Sequence, residues 1–124
     1  MGKIFKSEIQ RPEFERDLRQ LTRKFRTLPD DLEVVISTSL NLYHKLNIKH
    51  DGIKRISDLG IDDPEIYKVR KFACRALKGR GAKSGIRLIY AYFSDQDKVE
   101  FIQMYFKADE ENEDRARIKR LYGG

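Results

Sequence analysis

Eight basic residues lie close together in one stretch of the chain. Within residues 66–94 they are Lys68, Arg70, Lys71, Arg75, Lys78, Arg80, Lys83 and Arg87. The same stretch contains no aspartate or glutamate, whereas the formal net charge of all 124 residues is +6. Because a basic stripe confined to one segment is the electrostatic footprint of a polyanion site, the stretch predicts binding of a nucleic acid. The alternatives are a basic surface that faces only solvent and a contact patch for an acidic protein.

The same residue types could cleave RNA as well as bind it. When the 2′-oxygen of a nucleotide attacks the neighbouring phosphate, negative charge collects on the phosphate oxygens and on the leaving oxygen. Fixed cations near those oxygens stabilise the transition state more than the ground state. Arginine suits this task because its fork of donors matches a phosphate and always stays charged. A lysine among like charges could also transfer a proton. The basic stretch contains no histidine, so the pattern does not favour a ribonuclease with a histidine pair.

Length and composition limit the other possibilities. A chain of 124 residues predicts a single domain over residues 1–124. No apolar run is long enough for a membrane span, and the first residues do not resemble a signal peptide, so we expect a cytoplasmic protein without a membrane partner. Cys74 is the only cysteine and is interpreted as a small buried residue. Zinc-ligand spacing and phosphate-binding glycine motifs are missing from the sequence, so neither a metal nor a cofactor is expected.

The first half of the chain predicts a strand followed by two helices. We expect the strand at residues 3–9 and a first helix that begins at Pro12. Its apolar stripe consists of Phe14, Leu18, Leu21 and Phe25. A second helix, capped by Asp30 or Asp31, is predicted to run to about Leu46. His44, near its end, is interpreted as a cation at the helix C-terminus at low pH, and not as a catalytic residue. The two helices form an antiparallel hairpin that covers a sheet, and residues 47–64 form a connecting loop.

The second half predicts three strands and a closing helix. The strands are expected at residues 66–77, 85–93 and 99–107, and the helix at 109–122. The fold class is therefore α+β, with an N-terminal strand and a helical hairpin packed on a small antiparallel sheet, and with a C-terminal helix. Because side chains alternate along a strand, Lys68 and Arg70 share a face of the sheet. Arg87 and Lys107 are expected to lie on the same face. Tyr105 lies on the Lys107 face, where it could stack on a base.

Four short segments in this order resemble one known family. They are YKVR at 67–70, KGRGAKSG at 78–85, GIRLIY at 85–90 and MYFK at 104–107. Their order and spacing are similar to those of the RelE/ParE toxin superfamily, and closest to its HigB-like branch of mRNA interferases. The resemblance implies a RelE-like fold and the toxin of a type II toxin–antitoxin system. It implies an endoribonuclease that depends on the ribosome and cleaves mRNA during translation.

The resemblance also implies roles for individual residues. Lys68, Arg70, Arg87 and Lys107 match basic catalytic positions, and Arg87 matches the arginine that clamps the scissile phosphate. The residues expected to contact RNA or the ribosome are Lys71, Arg75, Lys78, Arg80, Lys83 and Tyr105. Some members of the family place a catalytic tyrosine shortly after the position of Lys107, where this chain has the acidic segment 109–114 without a tyrosine. The sequence therefore does not identify the residues that act as general acid and general base.

The expected partners follow from the same resemblance. They are a cognate antitoxin with an acidic segment, the mRNA and the ribosome, with operator DNA reached only through the antitoxin. Two other functions remain open at this point. One is a ParE-like inhibitor of DNA gyrase, and the other is an inactive relative that binds RNA without cutting it.

Overall fold

A computed structural model describes residues 4–123 and has an α+β architecture. The strands are β1 (Ser7–Gln10), β2 (Ile53–Arg55), β3 (Glu65–Val69), β4 (Ile86–Phe93) and β5 (Lys98–Phe106). The helices are α1 (Pro12–Lys24), α2 (Leu28–Val35), which continues as a π-type helical segment over Ile36–Lys45, and α3 (Arg115–Tyr122). A short 3₁₀ turn, Ser94–Gln96, joins β4 to β5. None of the helices in this part of the chain is long and apolar enough to cross a membrane.

One mixed sheet of five strands, in the order β1-β5-β4-β3-β2, forms the centre of the fold. The antiparallel meander of β3, β4 and β5 confirms the expected arrangement of the last three strands. The prediction of a purely antiparallel sheet is wrong, because β1 pairs with β5 in parallel. The predicted first strand began at residue 3, which lies outside the described residues. The predicted loop at 47–64 contains β2, which pairs with β3 and is too short to show an alternating pattern.

The strand predicted at residues 66–77 ends early, at Val69. The backbone N–H groups of Arg70 and Lys71 both point to the carbonyl of Gly52, at 2.8 and 3.4 Å, and this turns the chain away from β4. Phe72 and Cys74 are nevertheless buried, at 0% and 2% exposure. Because Phe72 and Cys74 alternate with exposed neighbours, the sequence predicted that the strand continued. The two residues instead anchor a loop that runs from residue 70 to residue 85.

The helical hairpin covers one face of the sheet, as predicted. Phe14 of α1 and Leu32 of α2 pack into the same core as Leu88 and Phe101 of the sheet. Helix α1 begins at Pro12, where a missing N–H costs nothing. The predicted aspartate cap of the second helix is wrong, because Thr27 occupies the N-cap position and its side chain makes no capping bond.

Helix α3 and the segment after β2 cover the other face. Ile118 of α3 packs with Ile56, Ile66 and Ile89 in a second apolar cluster. The C-terminal helix is shorter than predicted, because Asp114 caps it by accepting a hydrogen bond from the backbone N–H of Arg117 at 3.0 Å. Residues 109–114 therefore form a non-helical acidic segment that lies over the edge of this face.

Candidate nucleic-acid interface

An open cleft of about 520 Å³ lies at the end of the sheet where β3 and β5 finish and β4 begins. Its basic lining residues come from three stretches of the chain and are Arg70, Lys71, Lys83, Arg87 and Lys107. Asp51 is the one carboxylate in this lining, and Ala82 and Gly85 complete it. The cleft therefore carries a strong positive field and is open enough for a polyanion to enter.

The register of the sheet sets Arg87 and Lys107 side by side. Arg87, the second residue of β4, pairs with Tyr105 of β5, and Lys107 follows two residues later. The backbone N–H of Lys107 donates to the carbonyl of Gly85 at 2.9 Å, which extends the ladder to the rim of the cleft. Gly85 has φ +86°, and a Cβ there would lie 3.1 Å from the ring of Phe106. Glycine is therefore required at this corner.

Two guanidinium groups of the cleft are fixed by backbone carbonyls. The Arg70 Nη2 donates to the carbonyl of Asp51 at 2.7 Å, and the Arg87 Nη1 donates to the carbonyl of Arg70 at 3.0 Å. A carbonyl orients an arginine without neutralising its charge, so both groups keep donors for an anion. Lys71 differs, because its ammonium lies 2.7 Å from the Asp51 carboxylate. The hydrogen bond from Lys71 lowers the pKa of Asp51 below its ordinary value.

Lys68 lies on the same sheet face as Arg87 but does not line the cleft. Its Nζ is 2.7 Å from the Glu113 Oε1, and the two side chains are only 19% and 9% exposed. Burial would raise the pKa of Glu113, but the hydrogen bond and charge of Lys68, a backbone hydrogen bond and a hydrogen bond from Arg115 together outweigh burial and lower the pKa below its ordinary value. The acidic segment 109–114 thus holds Lys68 in a partly buried ion pair.

Tyr105 is a core residue of the face that α3 covers. Its side chain is 4% exposed and packs in the cluster around Ile118. Burial, followed by the charge of Glu113, raises the pKa of Tyr105 to about 12. The hydroxyl is therefore protonated at neutral pH, and the ring is not on the surface where a base could stack.

The predicted RNA contacts of the loop divide into two groups. Lys83 lines the cleft, whereas Lys78 and Arg80 lie exposed at the loop tip and outside it. Arg75 is bound to helix α2, with its Nε 3.1 Å from the Asp31 Oδ1. The base of the loop is fixed further because the Ser84 hydroxyl donates to the carbonyl of Phe72.

Sequence reasoning missed the role of Asp31 as the anchor of this loop. The side chain is 3% exposed, and its Oδ2 accepts hydrogen bonds from the Thr27 hydroxyl at 2.6 Å and the Arg75 backbone N–H at 3.2 Å. Helical spacing could have predicted that Asp31 is buried, because position 31 falls between Leu28 and Val35 on the buried side of α2. Asp30, one residue earlier, points to solvent and has an 82% exposed side chain.

The histidines lie away from the cleft or at its border. His44 is buried, and its Nε2 lies 2.7 Å from the Tyr90 hydroxyl. Burial, with smaller effects of Lys49 and His50, lowers the pKa of His44 to about 3. The interpretation of His44 as a C-terminal helix cation at low pH is therefore corrected, because burial keeps the ring neutral until the pH falls to about 3. Within residues 4–123 no group of three or more histidine, cysteine, aspartate or glutamate side chains is arranged to hold a metal ion.

Comparison with known proteins adds no family to this description. The chain matches no family model, no curated protein and no solved structure at a significant level. The fold and the site geometry therefore define only a class of site, which is a cationic cleft at the end of a mixed sheet.

Proposed function

We propose that this protein binds RNA in the basic cleft and cleaves it by attack of a 2′-oxygen on the adjacent phosphate. The observation that carries the proposal is the convergence of five basic side chains from three stretches of the chain on one open cleft that contains a single carboxylate. Scattered surface lysines and arginines would not require three separate stretches to meet. A cleft of this charge favours a phosphate chain over an uncharged ligand.

The proposed chemistry is electrostatic stabilisation of the transition state. Arg70 and Arg87 are held by backbone carbonyls, so their remaining donors are preorganised for the phosphate oxygens. Within residues 4–123 the Lys107 ammonium makes no salt bridge, so its charge is available to the leaving 5′-oxygen. Removing one such donor from a preorganised site typically costs about 10²–10³ in rate.

The wider role that we propose comes from the sequence resemblance. The segments at 67–70, 78–90 and 104–107 resemble the RelE/ParE superfamily, and the α+β fold is compatible with it. On this proposal the protein has a RelE-like fold and is the toxin of a type II toxin–antitoxin pair. It cleaves mRNA on the ribosome and is neutralised by an antitoxin with an acidic segment.

A second candidate function, RNA binding without cleavage, is favoured by the Lys68–Glu113 ion pair. Lys68 is one of four basic residues assigned to catalysis, and it is neutralised by a carboxylate 2.7 Å away. A site that keeps its phosphate contacts but loses one of its catalytic cations would hold RNA without turning it over.

The test is translation of one defined message with purified ribosomes, followed by primer extension to map new 5′ ends. The variants are Arg87→Ala and, as a matched control, Arg16→Ala, which removes an exposed arginine of α1 outside the cleft. We expect new 5′ ends within codons of the message. These ends should appear only when ribosomes are present, should be lost with Arg87→Ala and should persist with Arg16→Ala.

Each other outcome has a defined meaning. RNA that is bound but intact would support the second candidate. Ends that form without ribosomes would support cleavage and refute ribosome dependence. A message that is neither bound nor cut would refute the proposal, and a supercoiling assay would then test gyrase inhibition.

A further inference from the structure

A second cavity adjoins the basic cleft. This groove, of about 450 Å³, lies between α2 with its π-type continuation and the loop residues 71–82. Its lining includes Val34, Val35, Ala73, Ala82, His50 and Arg75. Asp51, Lys71 and Ala82 line both cavities. A ligand that occupies one cavity is therefore in immediate reach of the other.

The groove and the cleft differ in chemistry. The cleft is lined by five basic side chains, whereas the groove combines aliphatic side chains with a few polar groups. Its two acidic residues already have cationic partners, since Asp31 pairs with Arg75 and Asp51 pairs with Lys71. The groove is thus close to neutral, with an imidazole and a guanidinium among its lining groups.

Those two planar groups are held in place by the fold. The His50 Nε2 lies 3.1 Å from the carbonyl of Ser39, and its Nδ1 accepts a hydrogen bond from the backbone N–H of Gly52 at 3.2 Å. The Arg75 guanidinium is tied to Asp31 at one nitrogen, yet the side chain remains 64% exposed. Fixed planar groups bind a flat ligand without a large loss of side-chain entropy.

We propose that the groove binds the nucleobase of an RNA nucleotide whose phosphate lies in the adjoining basic cleft. This inference rests on the proposed RNA binding and adds a subsite to it. A nucleobase has apolar faces and a polar edge, which fits aliphatic walls with a few hydrogen-bonding groups. Unstacked bases commonly stack on histidine rings or arginine guanidinium planes. Because the groove adjoins the basic cleft with Arg70, Arg87 and Lys107, a ligand with a phosphate beside its base suits the two cavities better than a purely apolar one.

Fluorescence anisotropy with two labelled oligomers tests the subsite. One is an RNA hexamer of mixed sequence, and the other is the same sugar–phosphate chain without bases. Ala73→Leu fills the groove without adding a planar group, and Ala116→Leu places the same side chain on an exposed position of α3 as a control. Arg70→Ala removes a phosphate contact of the cleft.

We expect the wild-type protein to bind the hexamer about tenfold more tightly than the abasic chain, as one stacked base would give. Ala73→Leu should abolish that difference by weakening only the hexamer, and Ala116→Leu should preserve it. Arg70→Ala should weaken both oligomers.

Three results would overturn the inference. Equal binding of the hexamer and the abasic chain would refute the base subsite while leaving RNA binding in the cleft intact. Unchanged hexamer binding by Ala73→Leu would refute the placement of the base in this groove. Failure of the wild-type protein to bind either oligomer would refute the subsite and the proposed function together.

Discussion

Substitution of Asp31 by alanine should release the loop that carries Lys71 and Lys83 from helix α2. Asp31 accepts hydrogen bonds from the Thr27 hydroxyl at 2.6 Å and from the Arg75 backbone N–H and Nε at 3.2 and 3.1 Å. In the variant, the Arg75 N–H loses its acceptor and the carboxylate leaves a void.

The magnitude can be worked from these contacts. A hydrogen bond to a charged group contributes about 1.5–3 kcal/mol, but the Thr27 hydroxyl and the Arg75 side chain can regain water in the variant. We therefore expect Asp31→Ala to lower the free energy of unfolding by about 2–4 kcal/mol, a range typical when a buried network is broken. Asp30→Ala is the matched control, because it removes the same charge from the same helix turn. Its side chain is 82% exposed and lies 3.5 Å from Arg75, so its loss should cost less than about 1 kcal/mol.

Urea unfolding followed by far-UV circular dichroism measures both effects. Asp31→Ala should move the midpoint down by about 1–2 M with an unchanged slope, and Asp30→Ala should barely move it. Equal shifts for the two variants would refute the reasoning, because both lose a helix-terminal charge and a contact with Arg75, whereas only Asp31→Ala loses the buried hydrogen bonds.

Three further predictions concern other parts of the fold. Because the folded-state pKa of Glu113 lies below its ordinary value of 4.5, the ion pair with Lys68 stabilises the fold above that pH and ceases to do so in acid. The stability difference between the wild-type protein and Glu113→Gln should therefore narrow as the pH falls below about 4.5, as urea titrations at several pH values would show. Because the folded-state pKa of His44 is about 3, stability should fall as the pH drops from about 6.5 towards 3, by at most about 1.4 kcal/mol per pH unit. The stability of His44→Gln should lack this fall at acidic pH. If the variant showed the same dependence of stability on pH as the wild-type protein, the lowered pKa of His44 would be refuted. Gly85→Ala should lower the melting temperature more than Gly81→Ala, because both residues have positive φ but only Gly85 has a side chain within contact of its Cβ position.

The helical hairpin and the last two strands could be predicted from the sequence because their signals are periodic. Apolar residues at helical spacing place α1 correctly, and alternation places β4 and β5 within a residue of their observed bounds. Alternation of apolar residues fails to predict where β3 ends, which is at Val69. Phe72 and Cys74 continue the alternation of β3, although the chain has already left the sheet to bond with Gly52.

The candidate site could be predicted only in part, because side-chain parity within a strand says nothing about what covers the strand. Parity correctly put Lys68 on the face of Arg87, yet the acidic segment folds over Lys68 and not over Arg87. Arg70 lies outside the strand in which it was predicted and still reaches the cleft, because its guanidinium is directed by the carbonyl of Asp51. Both outcomes depend on contacts between residues far apart in the sequence.

The loop between β3 and β4 is fastened at both of its bases and free at its tip. Phe72, Cys74 and Ser84 are buried at its bases, whereas residues 78–81 are exposed, lie outside both cavities and include two glycines with positive φ. Changes in the length or composition of the tip would therefore leave the core and the cleft intact. Under the proposed function, the contact with the ribosome could therefore change at the tip without a change in the residues proposed to hold the phosphate.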